Sequence, residues 1–159
     1  LIHHGRKPEA QQPSKQELRE YYREANSRLG HPKFWLDAKL RGALGDAVGE
    51  VVSNQGYTVW ACAILSNHMH IVIRRHRDDA LTMWHQFADA SRLRVREEAS
   101  LTPDHPVWST RPYKVFLRTP HEVWTRVRYV ERNPQKEGLP EQEYDFVKPY
   151  NNWPFHKPK

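Results

Sequence analysis

Cysteine is nearly absent: Cys62 stands alone in 159 residues. A lone thiol rules out a disulfide framework and a cysteine-based zinc ribbon. Long apolar runs are missing too. The longest, Val59 to Leu65, is far too short to span a bilayer. There is no charged-then-apolar leader pattern, so no membrane association is expected and the cytoplasm is the expected compartment. Internal repeats and low-complexity tracts are also lacking, which excludes solenoids and disordered arrays.

What remains is enough chain for one domain with a real core. The sequence is 28% charged and 38% hydrophobic, a globular composition on the polar side. Twenty-five Lys and Arg against nineteen Asp and Glu give a net charge of +6 and a pI near 9.5. That balance favours an anionic partner, most simply nucleic acid.

The local pattern is mixed α+β. Leu1 to Gly5 reads as the end of a strand that begins before the residues given. Ser14 and Glu17 form a capping box for a helix reaching Leu29, with Gly30 as its cap. A second helix is expected from Asp37 to Ser53, where three glycines allow close packing. Tyr57 to Leu65 is a strand by its aromatic and β-branched residues. Ser66-Asn67 turns the chain, and His68 to Arg74 returns as the second arm of a hairpin. Asp78 is placed to cap a third helix, Asp79 to Glu98, with Leu81, Trp84, Ala88, Ser91 and Val95 inward. Tyr113 to Leu117 reads as a short strand. A last helix starts at Thr119-Pro120 with Glu122 completing a second capping box. It is expected to stop at Asn133, because the residue before a proline is pushed out of the α region. Gln135 to Lys159 reads as an extended, aromatic tail.

Two stretches carry chemistry. In Asn67-His68-Met69-His70, alternation on a strand sends both imidazoles to one face and Met69, Ile71 and Ile73 into a core on the other. Paired imidazoles on a rigid strand are a good start for a metal site, though such a pair can also be purely structural. On the last helix, Val123, Val127 and Val130 make a narrow apolar stripe. Tyr129 falls opposite it, toward a polar cleft, and Asn133 lies one turn on, on the same face. An amide oxygen near a helix C-terminus, where the dipole favours a cation, can be a third ligand for a hard metal. Asparagine before proline is equally a helix terminator.

The two stretches together, Asn67 to His70 and then Tyr129-Val130-Glu131-Arg132-Asn133-Pro134, resemble the single-tyrosine HUH transposases, and within these the REP-associated tyrosine transposases. The resemblance runs from about Asp37 to Leu139. It implies a ferredoxin-like or RRM-like palm, with residues 1–139 as catalytic domain and 140–159 as a tail packed on it. It further implies that His68, His70 and Asn133 hold Mg²⁺ or Mn²⁺. Tyr129 would be the nucleophile, cutting single-stranded DNA beside a hairpin and forming a 5′-phosphotyrosine link, in a monomer or homodimer. Gln135 departs from the apolar residue usual after Asn-Pro in that family. Arg92, Arg94, Arg96 and Lys114 are candidates to neutralise DNA phosphates, and Trp108, Tyr113 and Trp153 to stack bases. The alternatives are a replication or plasmid-transfer relaxase using the same histidines, a noncatalytic nucleic-acid binder on the same palm, and a zinc hydrolase with a water nucleophile.

Overall fold

Each helix begins on a side chain that satisfies its first free N–H groups. The structure, a computed structural model, describes Gln16 and residues 34–109 and 112–154. Helix α1 is Ala38–Gln55, capped by Asp37, whose Oδ1 accepts from the Leu40 N–H at 2.8 Å. It ends at Gly56, which takes φ 68°, a left-handed geometry that suits glycine. Strand β1 is Val59–Ile64, buried throughout, and β2 is Met69–Ile73. Helix α2 is Ala80–Glu98 and α3 is Pro120–Lys136. The fold is therefore α+β, with a two-stranded antiparallel sheet among the described residues. No helix among them is long and apolar enough to cross a membrane.

The hairpin has a two-residue loop, Ser66-Asn67, closed by the Leu65 N–H to His68 carbonyl bond at 2.8 Å. Ala63 faces His70 and Ile64 faces Met69 across the ladder, and a bulge at Trp60 shifts the register near its far end. Helix α3 covers the sheet face bearing Ala61, Ala63 and Val72, and buries Val123, Val127 and Val130 against it. Each of those valines contributes about 2 kcal/mol as an upper figure. Helix α1 lies against the other face of β1, where Gly45 leaves room for Ile64 and Tyr144. Helix α2 packs in turn on α1. Residues 35–159 form one compact unit.

The tail closes the outer edge of β1. The Gln142 amide accepts from the Ile64 N–H and donates to the Ile64 carbonyl, both at 2.8 Å. At the other end the Lys148 N–H donates to the Val59 carbonyl, beside a parallel bridge from Val59 to Val147. An exposed edge would otherwise offer unpaired backbone groups to another chain.

Several expectations are corrected. Helix α3 does not stop at Asn133 but runs through Pro134 to Lys136. Pro134 lies inside the last turn, where it cannot donate to the carbonyl four residues back; the ring is fully buried, and that burial offsets the lost bond. Helix α2 is capped by Asp79, which accepts from the Thr82 N–H at 2.7 Å; Asp78 instead accepts from the Tyr57 hydroxyl at 2.7 Å. Its buried stripe is Met83, Phe87, Ala88, Ser91 and Val95, while Leu81 is exposed. Packing of Phe87 on Tyr57 sets that rotation of the helix. Tyr113 to Leu117 is no strand: the sheet of the described residues consists of β1 and β2, and Tyr113, Val115 and Phe116 stand exposed. Met69, Ile71 and Ile73 are only half-buried; the buried residue of β2 is Val72, on the histidine side. The expected strand at Leu1 to Gly5 and helix at Ser14 to Leu29 lie outside the described residues, Gln16 apart.

Candidate active site

His68 leaves the hairpin loop one residue before β2, and His70 sits within β2 opposite Ala63. The small Ala63 leaves space for the ring across the ladder. The two imidazoles stand 5.0 Å apart between centroids, at 88°. His68 Nδ1 lies 2.7 Å from the Asn67 amide oxygen. That oxygen can only accept, so the contact requires a proton on Nδ1. His68 Nε2 faces Glu137 Oε1 at 3.8 Å, too long for a hydrogen bond. Burial pushes the proton affinity of His70 below the ordinary imidazole value, helped by His68 and Arg126 and opposed by Glu137. A His70 so depressed is neutral at pH 7 and keeps a lone pair available.

Helix α3 brings three side chains to this pair. The Tyr129 ring meets His70 edge-on, 5.8 Å between centroids. Glu137, eight residues later, meets His68. Positions i, i+4 and i+8 share one helix face, so Asn133 falls on the helix face between those two contacts. Asn133 is 7% exposed, and among the described residues its amide makes no hydrogen bond to protein. None of its polar atoms is both sealed from solvent and unpartnered, so the amide reaches solvent. Tyr129 is 40% exposed. Arg126 and Lys136 stand over its ring at 5.4 and 4.8 Å, close enough for cation–π attraction.

Tyr129, His68 and His70 thus come together, with Asn133 one turn beyond Tyr129 on the same helix. Glu137, Arg126 and Lys136 were not among the expected site residues. The signal for Glu137 was the continuation of the same i+4 series, which the expected stop at Asn133 cut short.

The DNA-contact candidates do not join them. Arg92 is held by Asp89 at 2.6 Å and the Pro106 carbonyl at 2.9 Å. Arg94 pairs with Glu50 at 2.8 Å, and Arg96 donates to the His105 carbonyl at 2.7 Å. All three lie on α2, which packs on α1 and not on the histidine face. Lys114 is exposed in the segment before α3 and acts electrostatically on Asp79. Trp108 donates its indole N–H to the buried Ser91 hydroxyl at 2.8 Å, a structural role.

No three His, Cys, Asp or Glu side chains among the described residues form a group able to hold a metal ion. A third protein donor for a cation at the two histidines is therefore the Asn133 amide. By its chemistry the set suits a hard divalent cation: two imidazoles, of which burial holds His70 below the ordinary proton affinity, and an amide with no protein hydrogen bond among the described residues. Compared with family models, curated proteins and solved structures, the chain matches none.

Proposed function

We propose that this protein is a metal-dependent, single-tyrosine DNA endonuclease and transesterase of the HUH transposase type, acting on single-stranded DNA beside a hairpin. The observation that carries this reading is the placement of Tyr129 against His70 with Asn133 on the same helix face. The order and spacing of the two motifs agree with it, as does the basic charge. On this reading the hairpin and α3 are the heart of a ferredoxin-like or RRM-like palm.

His68, His70 and Asn133 would hold Mg²⁺ or Mn²⁺, which when bound supplies positive charge beside the scissile phosphate. Tyr129 Oη attacks phosphorus, the Oη–P bond forms, and the P–O3′ bond breaks. The 3′ oxygen leaves and takes up a proton, and the phenolic proton passes to solvent at the exposed edge of the ring. The product is a 5′-phosphotyrosine and a free 3′-OH. The reverse reaction reseals DNA without an external energy source. Arg126 and Lys136 stabilise negative charge on the tyrosine side of the cleft. The neutral state of His70 leaves its lone pair free for the cation, and the Asn67 contact fixes the His68 tautomer.

The test is incubation with hairpin-bearing single-stranded oligonucleotides and Mg²⁺ or Mn²⁺, followed by denaturing electrophoresis. A covalent protein–DNA band that chelator prevents is expected. Tyr129→Phe should lose the band yet bind DNA. Cutting that survives Tyr129→Phe would instead indicate a water nucleophile and a hydrolase.

A further inference from the structure

Strand β2 does not end its work at the histidines. His68, His70, Val72 and Arg74 alternate onto one face. Beyond β2 the chain continues Arg74-Arg75-His76-Arg77. These residues line an open groove of about 720 Å³ together with Thr58 and Trp153. The volume falls in the range of ligand-binding clefts, roughly 300–1,000 Å³.

The groove is built rather than incidental. The Arg74 N–H donates to the Thr58 carbonyl at 2.9 Å, which anchors its backbone. Its guanidinium lies 4.1 Å from the centre of the Trp153 ring. Trp153 is itself held, its carbonyl accepting from the Tyr150 hydroxyl at 3.1 Å and its N–H donating to Asn151 Oδ1 at 3.1 Å. His76 is fixed between Tyr57 and Asp78. Stacking on an indole orients a guanidinium without neutralising it.

Charge separates this cluster from the arginines along α2. Those of α2 are consumed by Asp89, Glu50 and backbone carbonyls. Among the described residues, neither Arg74 nor Arg75 has a carboxylate within ion-pairing distance. Arg77 has only Asp78, at 3.9 Å. Three guanidiniums with almost no internal counter-charge, converging on one groove, call for an external polyanion.

We propose that this groove binds the phosphate backbone of the hairpin stem, as a second contact point for the DNA cut at Tyr129. The identity of the ligand rests on the proposed function; the groove itself does not. His70 and Arg74 are four residue steps apart along the strand direction, about 13 Å. That matches about four nucleotides along one strand of a duplex at 3.4 Å each. A stem gripped here reaches the histidines with only a short single-stranded span between.

The test uses the full chain carrying Tyr129→Phe, so that binding is read without cutting. Arg75→Gln with Arg77→Gln changes two exposed side chains of the groove. Anisotropy is measured with a labelled hairpin oligonucleotide over a salt series. We expect weaker binding and a fall of about 2 in the slope of log affinity against log salt, one per phosphate contact removed. With the stem deleted from the oligonucleotide, the variant should bind like its parent. Equal affinity and equal slope on the full hairpin would overturn the proposal, as would an equal loss on the stemless strand. Loss of hairpin binding alongside failure of unmodified protein to form an adduct would uphold the groove and sink the nuclease reading. An adduct formed equally well by Arg75→Gln/Arg77→Gln on the Tyr129 background, with unchanged affinity, would do the reverse.

Discussion

Replacing Gln142 by methionine tests how the strand carrying the site is held. The substitution keeps length and removes the amide. Ile64 is fully buried, and Gln142 supplies partners to both its N–H and its carbonyl. The same amide oxygen accepts from the Tyr144 hydroxyl at 3.1 Å. A buried backbone group left without a partner costs about 1–3 kcal/mol. Two such groups, one of them able to recruit water at the half-exposed edge, give an expected loss of about 3 kcal/mol. That is a large share of a typical net stability of about 5–15 kcal/mol. Urea unfolding followed by tryptophan fluorescence reads it, with the midpoint falling and the slope unchanged. Glu141→Gln, at an exposed neighbour, should stay within about 0.5 kcal/mol of the parent. A loss for Gln142→Met below that same figure would refute the reasoning, since solvent would then close the edge as well as the amide does.

Other outcomes follow from the same contacts. A Cβ at Gly45 would stand 2.8 Å from Tyr144 Cε1, whereas at Gly42 it would meet nothing within 4 Å. Gly45→Ala should therefore destabilise by about 1–3 kcal/mol and Gly42→Ala should stabilise by up to about 1 kcal/mol, both read by thermal or urea unfolding. The depressed proton affinity of His70 means the unfolded chain binds a proton where the folded one does not. Its contribution to stability is complete above the ordinary imidazole value of about 6.5 and is lost as pH falls below it. In metal-free protein, His70→Gln should flatten the acid limb of stability between about pH 7 and 5, and identical limbs would contradict this. Glu137 raises the His70 value, so Glu137→Gln should move the His70 NMR titration to lower pH; no movement would separate the two residues.

The legible parts of the site were those fixed by local periodicity. Alternation alone placed His68 and His70 on one face, and the valine stripe alone placed Tyr129 off it. The caps at Asp37 and Thr119 were equally local. What escaped depended on tertiary balance. Pro134 signalled a stop at Asn133, but burial in the last turn outweighed the steric preference, and Glu137 stayed helical enough to reach His68. Nothing local says that Arg94 is neutralised by Glu50, forty-four positions earlier, or that Trp153 returns to stack on Arg74. The pattern at Tyr113 to Leu117 suited a strand, but no neighbouring strand met it among the described residues.

The most direct measurement maps the covalent link. After reaction with a hairpin oligonucleotide and Mg²⁺ or Mn²⁺, the adduct is digested with nuclease and trypsin and its peptides are sequenced by mass spectrometry. Arg128 and Arg132 bracket the peptide Tyr129-Val130-Glu131-Arg132. The account predicts that this peptide carries the nucleotide, on Tyr129. A nucleotide on any other side chain, or DNA cut with no peptide modified, would contradict it.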